Sequence, residues 1–424
     1  MNLSRNISIS SFYFFVLFFT FKTTEGQIKE ISAEENGVVN LRVDPSIASG
    51  GNTSDIFDDI KYIPLETNNE CKFGKISQLE YVDGHYIILD PETNSILIFT
   101  ENGKFVSKIK RRKDVPIIKF SINKWYKNII FVDDNFRSVS FYDFKGNFIR
   151  KQENTDLNVL GIFALNFEYI GAETVLSYDT YRDFKVGSKY FQPFSRSLIR
   201  FAKGNGSVFA NGFLYNDIDA KIDVLYGATN QLTNFGIDTA RFFVKPYTFD
   251  IYTITPNAIA HNYHITLPVN ISLPSDFLTN KVYTNKHAEF IKSHPNLIYR
   301  IDNCYKIKDN FLFKASSLSS YKEDNLILNL VSGSLIAYKH ITPDWKSFYL
   351  PIFDSMTSGF ENYGIGYCDG INIFTWLTSF KMLEAFNGNK ELNPKYDSAL
   401  SKYFSKATKD SNPVIVRLRL KNEL

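Results

Sequence analysis

Cysteine is nearly absent, with three residues (Cys71, Cys304, Cys368) in 424. That excludes a disulfide framework, and their separations fit no zinc pattern. They read as buried side chains. Methionine and tryptophan are equally scarce, three of each, which argues against a helical enzyme of this size. Charge of one sign is missing too: 48 basic against 45 acidic residues leave a formal +3. So near a balance does not suit an electrostatic nucleic-acid binder. Beyond the N-terminus there is no long apolar run, so no membrane span is expected in the mature chain.

What is abundant is aromatic. Phenylalanine (39) and tyrosine (25) lift the aromatic share to 16%, within a hydrophobic total of 44%. That material can fill a large core, excludes disorder, and leans towards strand. At the N-terminus, Arg5 precedes an apolar stretch from Ile7 to Phe21, followed by Lys22 and the small, polar Thr23–Gln27. This pattern reads as a secretory signal peptide over residues 1–26, because the stretch is shorter than the ~20 residues that span a bilayer. An uncleaved anchor is the alternative. With no cysteine near the cleavage point, a lipoprotein is not expected. The expected setting is the periplasm or the cell surface.

The chain then repeats itself. Residues 86–108 superpose on 129–151 at an offset of 43 without a gap, placing Asp90 on Asp133, Ile96 on Val139, Gly103 on Gly146 and Phe105 on Phe148. In each unit a β-rich run ends at an Asp, which can start a turn by bonding its downstream backbone. A second strand leads to Gly103 or Gly146, which supplies the positive φ of a tight hairpin. With the preceding runs Ile76–Tyr81 and Phe120–Asn123, each unit holds four antiparallel strands, the size of a propeller blade. Later units are degraded or interrupted, at Arg196–Phe209, Phe242–Pro268, Cys304–His340 and from Tyr363. Two short helices are expected near the C-terminus: one begins at Asn393-Pro394 and presents Tyr396, Ala399, Leu400, Tyr403 and Phe404 on one face, and the other includes Trp376, Phe380 and Leu383. The last strand, 412–420, is expected to pair with Ile60–Leu65 and close the ring.

Lys61-Tyr-Ile-Pro-Leu-Glu-Thr, the Asp- and Gly-punctuated blades and Asn412-Pro-Val-Ile-Val together resemble the secreted six-bladed β-propeller family of Bacteroidetes, related to NHL-repeat propellers. The resemblance covers 55–424 and is most specific in 60–151 and 393–420. It implies an all-β fold of six four-stranded antiparallel blades in a cell-envelope setting, after a signal peptide (1–26) and an N-terminal extension (27–54). One segment departs from it: Lys108–Ile118 lacks the glycines common there in that family. The family has no general enzymatic activity, so the resemblance speaks to fold more than to function.

No nucleophile elbow, Walker or dinucleotide pattern occurs. His261 and His264 are three apart in a strand-like run and should face opposite ways, so a shared metal is not expected. No cofactor and no metal are expected. The densest positive run holds Lys108, Lys110, Arg111, Arg112 and Lys113; a solvated loop is the simpler reading, a grip on an anionic sugar or phosphate the functional one. Tyr178, Tyr181 and Arg182 offer the rings and charge of a binding mouth. The weak ligand-binding candidates are therefore Lys110, Arg111, Arg112, Lys113, Tyr178, Tyr181 and Arg182, with no catalytic residue. The expectation is a non-catalytic binding or scaffold module for a glycan, peptide or envelope protein. The alternative is a polysaccharide lyase or hydrolase with its site on the propeller axis, to be recognised by convergent carboxylates with perturbed protonation.

Overall fold

A computed structural model describes residues 28–112, 114–133, 138–153, 166–182, 195–227, 232–319, 325–353 and 365–424. The expected signal peptide and Lys113 lie outside them. The described chain forms six blades around one axis, as the repeat and the resemblance led us to expect. Blade one is Gln78–Val82, His85–Asp90, Ser95–Thr100 and Phe105–Lys110. Blade two is Phe120–Asn123, Asn128–Asp133, Ser138–Asp143 and Phe148–Glu153. Blade three follows as Asn166–Tyr169, Thr174–Tyr178, Ser197–Lys203 and Val208–Leu214. Blade four comprises Leu232–Asn234, Arg241–Val244, Asp250–Ile254 and Ile259–Thr266. Blade five comprises Arg300–Ile307, Asn310–Ser316, Asn325–Asn329 and Leu335–Thr342.

Blade six is built from both ends of the described chain. Tyr367–Cys368, Ile373–Leu377 and Val414–Leu420 are joined on the outside by Phe57–Pro64, antiparallel to Val414–Leu420. Before reaching it, the N-terminal segment runs around the rim. Lys29–Glu30 adds a parallel strand to blade three, Ala33–Glu34 and Val39–Arg42 add to blade four, and Ser49–Asn52 adds to blade five.

The two-residue period explains why blades stack. In blade one Ile87, Leu89, Ile96 and Ile98 pack with Phe120, Ile122, Ile129 and Phe131 of blade two. Their alternates Tyr86, Ile88, Leu97 and Phe99 pack with Phe374 and Ile415 of blade six. Both faces of the sheet are therefore dry, and each fully buried Ile or Phe contributes about 1.5–3 kcal/mol. The punctuating residues act as their chemistry suggests. Asp90 is fully buried and its carboxylate accepts from the backbone N–H of Glu92 (3.2 Å) and Thr93 (3.1 Å). Gly103 has φ +75°, and a Cβ there would lie 2.3 Å from the Pro64 carbonyl oxygen.

Each junction is also stitched by a side chain bonding the adjoining blade's backbone. The Gln78 amide exchanges two bonds with Phe120, at 2.8 and 3.0 Å. Asn123 donates to Ala172 O, Arg241 to Tyr169 O, Thr233 to Cys304 O, Asn310 to Lys421 O and Tyr367 to Tyr81 O.

The C-terminal helices differ in detail from expectation. Ser379–Gly388 is capped by Thr378, and Trp376 belongs instead to the strand before it, opposite Ile415. Ser398–Phe404 starts at Asp397, whose carboxylate accepts from Leu400 N at 2.8 Å. Asn393 instead ends a 3-10 turn in the left-handed region, at φ +43°, whereas an N-cap residue needs extended backbone, which Asp397 has. All three cysteines are buried and unpaired. No helix among the described residues is long and apolar enough to cross a membrane.

Candidate functional site

The first strand of every blade lines the axis, and there the side chains enclose a cavity of about 360 Å³. Its wall takes Gln78 and Glu80 from blade one, Lys119 and Lys124 from the flanks of blade two's first strand, and Asn166 and Glu168 from blade three. Thr233 and Arg241 come from blade four, Asn303 and Tyr305 from blade five, and Tyr367 and Trp376 from blade six. Strand alternation puts them there: Asn166 and Glu168 face the cavity while Phe167 and Tyr169 are buried among the neighbouring strands. Asn303 sits in the left-handed region (φ +50°) where the register of its strand shifts, between Asp302 and Tyr305. The Trp376 ring lies directly on Gly366, where any Cβ would be 2.1 Å from it.

The charges are arranged unequally. Lys119 Nζ pairs with Glu168 at 3.3 Å and donates to Asn166 Oδ1 at 3.5 Å. Lys124 pairs with Asp238 at 2.5 Å. The buried Arg241 guanidinium donates to the carbonyls of Asp238 (3.0 Å), Ala240 (2.8 Å) and Tyr169 (3.0 Å). Glu80 receives one long bond from Gln78 Nε2, 3.4 Å. Burial, and then the negative charge of Glu168, push its carboxyl up to about 7, against the weaker pull of Lys124 and Arg241.

That shift has a measurable sign. A carboxyl whose folded pKa exceeds its ordinary value stabilises the fold below that ordinary value, and the contribution is lost as pH rises through about 7. At pH 8 the ionised Glu80 costs the fold on the order of 3 kcal/mol. Glu80→Gln should therefore raise the melting temperature by a few degrees at pH 8 and leave it almost unchanged at pH 4. An equal effect at both pH values, read by differential scanning fluorimetry, would contradict the raised pKa.

None of the six described residues singled out from the sequence lines this cavity. Lys110 and Arg112 are exposed at the outer end of blade one, with Arg112 3.4 Å from Asp114. Arg111 is half-buried beside them, and Lys113 lies outside the described residues. Tyr178 and Tyr181 are buried. The Tyr178 hydroxyl accepts from Asn166 Nδ2 at 2.9 Å, which places it directly behind the cavity wall. Arg182 pairs with Asp179 at 2.9 Å, and Asp179 also meets the buried Arg200 at 3.1 Å.

The histidines correct a geometric expectation. Register shifts between Ile251 and Tyr252, so His261 and His264 fall on one face and both approach Asp250, at 3.3 and 2.7 Å. His261 Nδ1 also meets Glu35 of the rim segment at 2.5 Å. They tie that segment to blade four. Among the described residues no group of three His, Cys, Asp or Glu side chains is placed to hold a metal.

No curated protein matches the chain in sequence. Among solved structures, a putative exported protein from Bacteroides fragilis is similar over 91% of this chain and 100% of its own, at 13% identity and a TM-score of 0.61. A DUF4221-family member from Bacteroides vulgatus covers 86% and 97% at 11% identity, with a TM-score of 0.43. Virginiamycin B lyase from Staphylococcus aureus covers 86% and 99% at 11% identity and a TM-score of 0.39. At such identities the first of these speaks for the fold alone. A family model matches residues 38–419, from the rim segment through the closing strand, and the chain accordingly belongs to the family described as a domain of unknown function, DUF4934.

Proposed function

We propose that the protein is a secreted binding module of the cell envelope whose axial cavity seats a small portion of a glycan. The observation that carries this reading is the cavity wall: all six blades contribute to it, mixing amides, a hydroxyl and charges with the rings of Tyr305, Tyr367 and Trp376. At about 360 Å³ it lies in the lower part of the ~300–1,000 Å³ range of small-ligand pockets. Aromatic faces take the apolar side of a sugar ring while the polar rim answers its hydroxyls. The signal peptide read at residues 1–26 and the exported relative support the envelope setting.

The test is a fluorescence titration of the full chain with neutral, acidic and amino saccharides. Tryptophan occurs three times (Trp125, Trp345 and Trp376), and Trp376 alone of these lines the cavity. A saturable change that disappears in Trp376→Phe, with affinity lowered about tenfold, is the expected result. If no saccharide perturbs Trp376, the reading falls.

A second reading rests on Glu80 and Glu168, two carboxyls in one cavity with the proton of Glu80 held near neutrality. Such a group can serve as a general acid in glycosidic bond cleavage. Release of new chain ends from an oligosaccharide, abolished by Glu80→Gln, would favour it over binding alone.

A further inference from the structure

Three cations in the axial wall suggest at first an anionic ligand, but each already has donors engaged, two of them by carboxylates. Lys119 is held by Glu168, Lys124 by Asp238, and Arg241 by three backbone carbonyls. An anion would compete with these contacts for each cation. Glu80 is the reverse case. Its one hydrogen bond is the 3.4 Å contact from Gln78, whose amide is otherwise committed to Phe120 at 2.8 and 3.0 Å. Among the described residues no cation stands within ion-pair distance of it. The cavity therefore contains a half-buried carboxyl without a counter-ion, in a wall that also holds Glu168 and three aromatic rings.

We propose that the axial ligand is a small hydroxylated cation, an amino sugar, whose primary ammonium docks on Glu80. This rests on the axial-binding reading above and specifies its chemistry. An ammonium brings the charge that Glu80 lacks, in a charge-assisted hydrogen bond worth roughly twice a neutral one. Its positive charge is also favoured by nearby aromatic faces, and the sugar hydroxyls meet the polar side chains of the same wall. The bound ammonium holds Glu80 ionised. Because that carboxyl is pushed up to about 7, docking expels its proton to solvent. The ligand enters as R–NH3+, protonated Glu80 becomes carboxylate, and one H+ leaves.

The experiment titrates the full chain with glucosamine, N-acetylglucosamine, galacturonate and lysine amide, by Trp376 fluorescence and by calorimetry in two buffers of different ionisation enthalpy. Glucosamine should bind at least tenfold tighter than N-acetylglucosamine, which has the same ring without the charge. Its affinity should rise several-fold between pH 6 and pH 7.5, with proton release. Both differences should vanish in Glu80→Gln, whose folding is checked by its melt. Tightest binding of galacturonate, or equal binding of the first two sugars, overturns the amine assignment while leaving the axial glycan site standing. Glu80-dependent binding of lysine amide in preference to glucosamine overturns the sugar and assigns the ammonium to a peptide. Silence from every probe removes both the assignment and the site.

Discussion

Removal of residues 412–424 is expected to leave a chain that does not melt cooperatively. Val414–Leu420 lies between Ile373–Leu377 and Phe57–Pro64, and among the described residues no other strand joins those two. Val414, Ile415, Val416 and Leu418 are all fully buried. At about 1.5–3 kcal/mol each, their burial amounts to on the order of 10 kcal/mol. That is comparable with the whole stability of a typical domain, about 5–15 kcal/mol. The loss is also topological: Phe57–Pro64 is left without a partner, and the dry faces of blades one and five lose the blade between them. A thermal melt followed by circular dichroism should be broad, without a transition. A chain ending after Leu420 should keep its transition, and a sharp, unshifted melt of the larger truncation would show that the ring does not depend on its closing strand.

Asn412→Ala is expected to be among the most damaging single substitutions, costing on the order of 3–5 kcal/mol. This side chain is fully buried just before the closing strand. Its Nδ2 donates to Glu66 O (2.6 Å) and Cys71 O (2.9 Å), and its Oδ1 accepts from Phe73 N (3.0 Å). Truncation strands the buried Cys71 O and Phe73 N and leaves Glu66 O with the Cys71 thiol alone, and each unmet group costs about 1–3 kcal/mol. Asn412→Asp separates the contributions: it keeps the acceptor for Phe73 but sets a negative charge against two carbonyls, so it should be no milder than alanine. The midpoint of urea unfolding reports both. A loss below about 1 kcal/mol for Asn412→Ala would mean that the loop at 66–73 repacks around the gap.

The blades were legible where the two-residue period and the turn residues recur without interruption. Asp90 and Gly103 mark blade one because a buried carboxylate must cap a turn and because a Cβ at Gly103 would strike Pro64. Blades four and five have their longest strands bent by register shifts near Tyr252 and Tyr305, which break the alternation that a sequence reading follows. The same kind of shift brought His261 and His264 onto one face. The rim segment was invisible because strands of two residues, Lys29–Glu30 and Ala33–Glu34, carry no period at all.

The axial wall was missed for a different reason. It takes two to four residues from each blade, so the contributions of different blades are dozens of positions apart and form no local motif. A signal existed in Gln78-Leu79-Glu80 and Asn166-Phe167-Glu168, where polar residues flank an apolar one in a blade's first strand. That is the place where one face of a strand must be wet. The conspicuous basic run, as far as its described residues 108–112 go, falls by contrast at the outer edge of blade one.

The rim segment also imposes an order in time. Residues 29–52 are synthesised before any of the strands they pair with, and Phe57–Pro64 precedes its partner by some 350 positions. Closing a loop of that length costs about 5 kcal/mol of chain entropy, recovered only when Val414–Leu420 arrives. Blades one and two can form from neighbouring hairpins as they emerge, but the ring waits for the final strand. Since the axial cavity draws on all six blades, it exists only in the finished chain. An interrupted translation product or a nicked half has no partial site to offer, so the proposed ligand binding would double as a readout of completed synthesis.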